Sequence, residues 1–181
     1  MQQRHIGDAT VSAIGLGEMP LSVQNRPDEA DAHRVVHAAL DAGITLIDTA
    51  DAYAIGAEDF GHGERLVGAA LRSYGGDTSS VLVATKGGHT RTADGGWELD
   101  GRPEYLKAAC EKSLTALGVE QIGLYQYHRP DPSVPWAESR LPVGSSARMR
   151  GGEATAYVCV NHACQMPATD PEEVKRQLGV S

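Results

Sequence analysis

Four short apolar runs punctuate the first part of the chain, and polar or Gly-rich residues and then a longer stretch of helical periodicity follow each of the first three. They are VSAIGLG from Val11, TLID from Thr45, VLVAT from Val81 and IGLYQYH from Ile122. Each is too short for a helix and rich in branched side chains, which predicts strands buried on both faces. The first helix is expected over Asp28 to Ala42, with Val35, Val36, Ala39 and Leu40 on one face and Asp28 near the N-terminus, where the helix dipole favours an acid. Gly43 ends it. The second is expected from Gly63 to Tyr74, before Gly75 and Gly76. The third opens with Pro103, carries Leu106, Ala109, Cys110, Leu114 and Leu117, and stops at Gly118, where a left-handed residue is needed.

Strands alternating with helices imply a parallel sheet with crossover connections. Ahead of the first unit, RHIGDATVSAIGLG predicts a hairpin around Gly7 and Asp8 that caps one end of the sheet. The units recur about every 35 to 40 residues, and eight of them would need on the order of 250 residues. The expected fold is therefore α/β: a truncated (β/α)₈ TIM-type barrel of about four parallel strands with an N-terminal hairpin.

Beyond Pro130 the periodicity fails. DPSVPWAESRLPVGSSARMRGG reads as a connector, followed by a short strand, ATAYVCV from Ala154, and a short helix, DPEEVKRQLG, with Asp170 as N-cap and Pro171 at its first position. The expected organisation is a half barrel at residues 1–135, a linker at 136–153 and an irregular tail at 154–181 too small for a core of its own.

Composition narrows the function classes. With 41% hydrophobic and 22% charged residues, the chain suits one soluble core. A net charge of -8 opposes binding to nucleic acid or to an anionic membrane, so a small molecule or a second protein is the expected partner. No basic segment leads into an apolar one, and no apolar stretch is long enough to span a bilayer; a cytoplasmic location is expected. The three cysteines, Cys110, Cys159 and Cys164, form no disulfide framework, and Cys110 sits on an apolar helix face. Cys159, His162 and Cys164 have the chemistry of zinc ligands but lack a fourth partner, so no metal is assigned.

In a parallel (β/α) sheet, reactive side chains gather at the C-terminal strand ends. Asp48 ends the second run, Tyr53 lies in the loop after it, Lys86 ends the third and His128 the fourth. Each alone reads as a cap, a packing ring, a solvated charge or a core imidazole. Together, at equivalent ends of three successive strands, they suit acid catalysis on a carbonyl. A tyrosine ionises near pH 10 unless a cation lowers that value; Lys86 is such a cation, and Asp48 is placed to pair with it. His128 would orient the carbonyl. Asp51 reads as a loop former, and GLGEMP is too weak a signal for a phosphate loop.

Residues 1 to about 135 resemble the N-terminal part of the aldo-keto reductase family. The likeness is carried by VSAIGLGEMPLS, ALDAGITLIDTADAYAIG, GHGERLVGAAL, VLVATKGGH and SLTALGVEQIGLYQYHRPDP. It is collinear and includes the family's tetrad as Asp48, Tyr53, Lys86 and His128. The resemblance implies a (β/α)₈ barrel, bound NADPH, and reduction of an aldehyde or ketone in which the tyrosine gives the proton. It further implies that Gly17, Glu18 and Met19, with Asp48, lie near the nicotinamide. Gly123 stands where the family often has an acid. The family's later motifs, which grip the rest of the cofactor, do not follow Pro135.

Residues 137–178, chiefly TAYVCVNHACQ and TDPEEV, are similar instead to the C-terminus of bacterial thioredoxin-domain proteins that carry a glycosidase-like α/α-barrel. The expectation is a fusion of one gene's beginning to another's end. Two open strand edges would suit a homodimer closing two half barrels. The competing functional expectation is a catalytically silent fragment or interaction module that keeps the tetrad by descent.

Overall fold

The computed structural model describes residues 1–135, together with the backbone of two short strands at 159–160 and 163–164. The expected linker, most of the tail strand and the helix at Asp170 and Pro171 lie outside the described residues.

The chain opens with a hairpin, β1 (Gln3–Ile6) against β2 (Ala9–Ser12), turning at Gly7 with φ 60°. Then come β3 (Leu16–Gly17), α1 (Glu29–Asp41), β4 (Leu46–Asp48), α2 (His62–Ser73) and β5 (Leu82–Gly87). A second hairpin, β6 (His89–Arg91) and β7 (Trp97–Leu99), precedes α3 (Pro103–Leu117) and β8 (Leu124–Tyr127). Strands β9 (Cys159–Val160) and β10 (Ala163–Cys164) form a small antiparallel pair. The central sheet is parallel, in the order β3-β4-β5-β8, with one helix between each successive pair of its strands. No helix among the described residues is long and apolar enough to cross a membrane.

The helices start and stop where local chemistry requires. Asp28 caps α1 by accepting the Asp31 N–H at 2.8 Å, and Gly43 beyond its end has φ 83°. Pro103 opens α3, and Gly118, at φ 72°, returns its N–H to the Leu114 and Thr115 carbonyls. The apolar faces meet the sheet in one core of Ile47, Val36, Leu66, Val67, Leu117 and Ile122 with their neighbours, and buried Cys110 belongs to it.

Two expectations are corrected. Val35 is 43% exposed whereas Val36 is fully buried, because the stripe of α1 that faces the core runs through Ala32 and Val36. The first apolar run is not one strand: Val11 and Ser12 belong to β2, and only Leu16–Gly17 enter the parallel sheet. Ser12 causes the break. Its N–H donates to Thr45 Oγ1 at 2.8 Å, the Thr45 N–H donates to Ser12 Oγ at 2.9 Å, and Ser12 Oγ donates to the Ile14 carbonyl at 2.7 Å. Side chains thus replace the ladder, and the chain turns before β3.

Helices α2 and α3 approach closely at Gly68, where a Cβ would collide with the Leu117 carbonyl oxygen. Arg72 donates to that same oxygen at 3.0 Å. Gly68→Ala should therefore cost about 1–3 kcal/mol, in the range of overpacking changes. Gly75→Ala meets nothing within 4 Å and should change stability by less than about 0.5 kcal/mol. Urea unfolding of both variants measures the contrast.

Candidate active site

Parallel register lines up the strand ends. Gly17 sits beside Asp48, Asp48 beside Ala84, and Lys86 beside Gln126. The ladder continues one or more residues past each strand, which pins the loops that follow. Glu18 N–H donates to the Asp48 carbonyl at 2.9 Å, Thr49 N–H to Ala84 at 2.8 Å, Asp51 N–H to Lys86 at 3.2 Å and His128 N–H to Gly87 at 2.9 Å.

On this frame the tetrad converges. Lys86 Nζ donates to Asp48 Oδ1 at 2.5 Å, to the Thr49 carbonyl at 2.8 Å and to the Tyr53 hydroxyl at 3.1 Å. The same ammonium stands 4.7 Å from the centre of the Tyr53 ring. Tyr53 is buried, and the His128 ring meets it edge-on with centroids 5.6 Å apart. Burial, helped by the charges of His89 and Lys86, pushes the His128 imidazole down to about 4, so it is neutral near pH 7. Its Nδ1 is buried without a hydrogen-bond partner among the described residues.

Gly17, which ends β3, and the two residues after it separate. Gly17 borders open space and Met19 is 43% exposed, but the Glu18 side chain turns inward and is fully buried. Ser22 Oγ donates to Glu18 Oε1, and Thr49 Oγ1 donates to Oε2 at 2.8 Å. Asp51 is likewise buried, which corrects its reading as a mere loop former. Its carboxylate has only the Ala52 N–H nearby, and desolvation, reinforced by Glu64, raises its pKa well above the usual range. Glu64 completes a buried acid group, accepting from Thr85 Oγ1 at 2.6 Å; desolvation raises it as well.

The second hairpin adds residues that periodicity did not flag. The His89 ring lies 4.4 Å from that of His128 and 5.3 Å from Trp97. The Arg91 guanidinium stacks 3.9 Å over Trp97, and its Nη2 donates to the Ile55 carbonyl at 2.9 Å. The overlooked signal was Asp94-Gly95, a turn pair between two strand-like runs. Arg91 and Trp97, with Met19 and Ile55, line part of a cavity of about 590 Å³. A second cavity, of about 570 Å³, lies at the opposite strand ends, around Ser79 and Gln121, away from Lys86.

The parallel sheet thus carries the Asp48, Tyr53, Lys86, His128 cluster at its C-terminal edge, between strands joined by helices. The chain belongs to the aldo/keto reductase family, whose sequence profile matches residues 13–166. It is 41% identical over 131 residues to a 6-dehydroglucose reductase of Novosphingobium aromaticivorans, which covers 72% of this chain and 41% of that protein. It is 39% identical over 168 residues to a probable aldo-keto reductase 1 of Glycine max, covering 92% and 44%. Among solved structures it is similar to an aldo-keto reductase from Bacillus halodurans in its holo form, with TM-score 0.63, 35% identity and coverage of 77% and 44%. A glycerol dehydrogenase from Gluconobacter oxydans gives TM-score 0.61 at 37% identity, over 73% of this chain and 40% of that one. The chain thus spans less than half the length of the relatives it matches.

His128 supplies a pH test. The unfolded histidine takes a proton near pH 6.5 and the folded one near 4, so between those values the unfolded state binds more protons. Its contribution to stability is complete above about 6.5 and is lost as pH falls towards 4. The buried acids work the other way, since their raised values favour the folded state at low pH. An NMR titration should hold His128 neutral to about pH 4, and His128→Asn should lose less stability than the parent between pH 7 and 5.

Proposed function

We propose that the chain reduces an aldehyde or ketone to an alcohol, with NADPH as the reductant and Tyr53 as the proton donor. The observation that carries this reading is the Lys86 ammonium, bonded at once to Asp48, the Thr49 carbonyl and the Tyr53 hydroxyl. Because the phenol oxygen accepts from Lys86, its own hydrogen points elsewhere, free for a substrate oxygen. As that proton leaves, the ammonium stabilises the phenolate that forms. His128, neutral near pH 7, is suited to hold the carbonyl oxygen by a hydrogen bond rather than to compete with Tyr53 as the acid.

The described residues fit the nicotinamide end of the cofactor. Among the described residues, Gly17 leaves open space, Met19 offers an exposed flexible apolar chain, and Gln126 Oε1 is buried without a partner. As register neighbours, Lys86 and Gln126 project from one face of the sheet, so that oxygen is placed to meet an amide. When bound, the nicotinamide would supply hydride to the carbonyl carbon, while Tyr53 would give its proton to the carbonyl oxygen, so that an alcohol and NADP⁺ result. Met19, Ile55 and Trp97 form an apolar wall for the rest of the substrate.

Two measurements test this. NADPH should quench Trp97 fluorescence in a saturable titration, and turnover of a panel of small aldehydes and ketones should follow. Tyr53→Phe should keep the quenching and lower kcat by at least about 100-fold, and Lys86→Met should approach the same loss. Full turnover in Tyr53→Phe would remove the proton-donor role, and absence of binding at millimolar NADPH would favour a non-catalytic module.

A further inference from the structure

Glu18 follows β3 directly and is enclosed by three elements. Its N–H bonds the Asp48 carbonyl, and its two carboxylate oxygens accept from Ser22 and Thr49. Gly63, in the first turn of α2, makes the room: a Cβ there would stand 2.5 Å from Glu18 Oε2 and 2.8 Å from Thr49 Oγ1. Behind Ser22, His62 Nδ1 lies 2.9 Å from the serine oxygen. Since the serine proton goes to Glu18, His62 donates from Nδ1. On the other side, Thr49 joins Glu18 to the reacting groups, because its hydroxyl bonds the carboxylate and its carbonyl accepts from Lys86 at 2.8 Å.

Asp48, the direct partner of Lys86, has a side chain 39% exposed, so water screens part of its attraction. Glu18 is fully buried and acts through a medium of lower dielectric. Burial raises its pKa, while its bonds to Ser22 and Thr49 and the charge of Lys86 oppose the rise.

We propose that Glu18 is a positioning residue of the reduction: a second carboxylate behind Lys86 that locks the Asp48–Thr49 segment, so that the ammonium stays on the Tyr53 hydroxyl. The proposal rests on the roles given above to Lys86 and Tyr53. It gives the cation two acids, Asp48 bonded to it directly and partly wet, Glu18 reaching it through Thr49 and dry.

Glu18→Gln tests it, because glutamine keeps the shape and an acceptor for Thr49 and removes the charge. The expected result is a kcat lower by about tenfold or more, with NADPH affinity within about twofold of the parent. The parent should lose kcat at acid pH as Glu18 takes a proton, and that limb should vanish in Glu18→Gln. Asp48, Lys86, Glu64 and His62 also face or reach Glu18, so the limb should persist in Glu64→Gln and His62→Asn. A Glu18→Gln enzyme with the parent kcat and pH profile overturns the proposal.

If the parent has no turnover, the reductase reading fails by itself, and the ¹⁵Nζ resonance of Lys86, assigned by its loss in Lys86→Met, decides the matter. It should move in Glu18→Gln, and an unmoved resonance refutes Glu18. Should that variant fail to fold, Thr49→Val removes the linking hydroxyl and keeps the carbonyl; an unchanged Lys86 resonance there also refutes the link.

Discussion

An ammonium kept from water needs oxygens around it, and the arrangement of this sheet's upper edge follows from that need. Lys86 has a side chain only 13% exposed, and it is met by a carboxylate, a carbonyl and a phenol. All three come from the short segment that leaves β4, while the lysine comes from β5 beside it. Adjacent parallel strands bring the two together, and the register Asp48 to Ala84 sets the height of each. Breaking a buried pair on one side leaves an unpaired charge, which costs several times what the intact pair contributes. The loop after β4 is thereby tied to the cation as well as to the backbone ladder.

Beneath the cation lies an acid layer. Glu18, Asp51 and Glu64 are buried within one region, and desolvation raises the pKa of each. They are not equivalent. Glu18 and Glu64 have hydroxyl donors, whereas among the described residues Asp51 has one backbone N–H, that of Ala52, to offset its desolvation. The charge of Glu64 adds to the rise at Asp51, and that of Glu18 to the rise at Glu64.

Much of this was legible in the chain. The helix bounds, the parallel strands and the four clustered side chains follow from periodicity, glycine stops and the position of unusual groups at strand ends. What escaped notice escaped for identifiable reasons. Glu18 looked like a loop residue facing a cofactor, because nothing local announces that Gly63, forty-odd residues on, leaves space for its carboxylate. Asp51 read as loop chemistry, because burial of a side chain in a turn is a tertiary property. The break inside the first apolar run depends on a reciprocal bond between Ser12 and Thr45, and helical or strand periods do not encode such pairs. The second hairpin was missed although its turn pair, Asp94 and Gly95, was present, because attention to β/α alternation leaves no place for an inserted ribbon.

That ribbon separates two jobs. Residues 89–99 leave the sheet just after Gly87 and return before Pro103, and they carry His89, Arg91 and Trp97 without contributing a strand to the parallel sheet. The Lys86 cluster thus belongs to the scaffold, and Arg91 and Trp97 to an appendix to it. Such an appendix can change length and sequence while β5 and α3 stay where they are. Exchanging about a dozen residues of this ribbon would therefore remodel the surface around Arg91 and Trp97 while the Lys86 cluster stays in place.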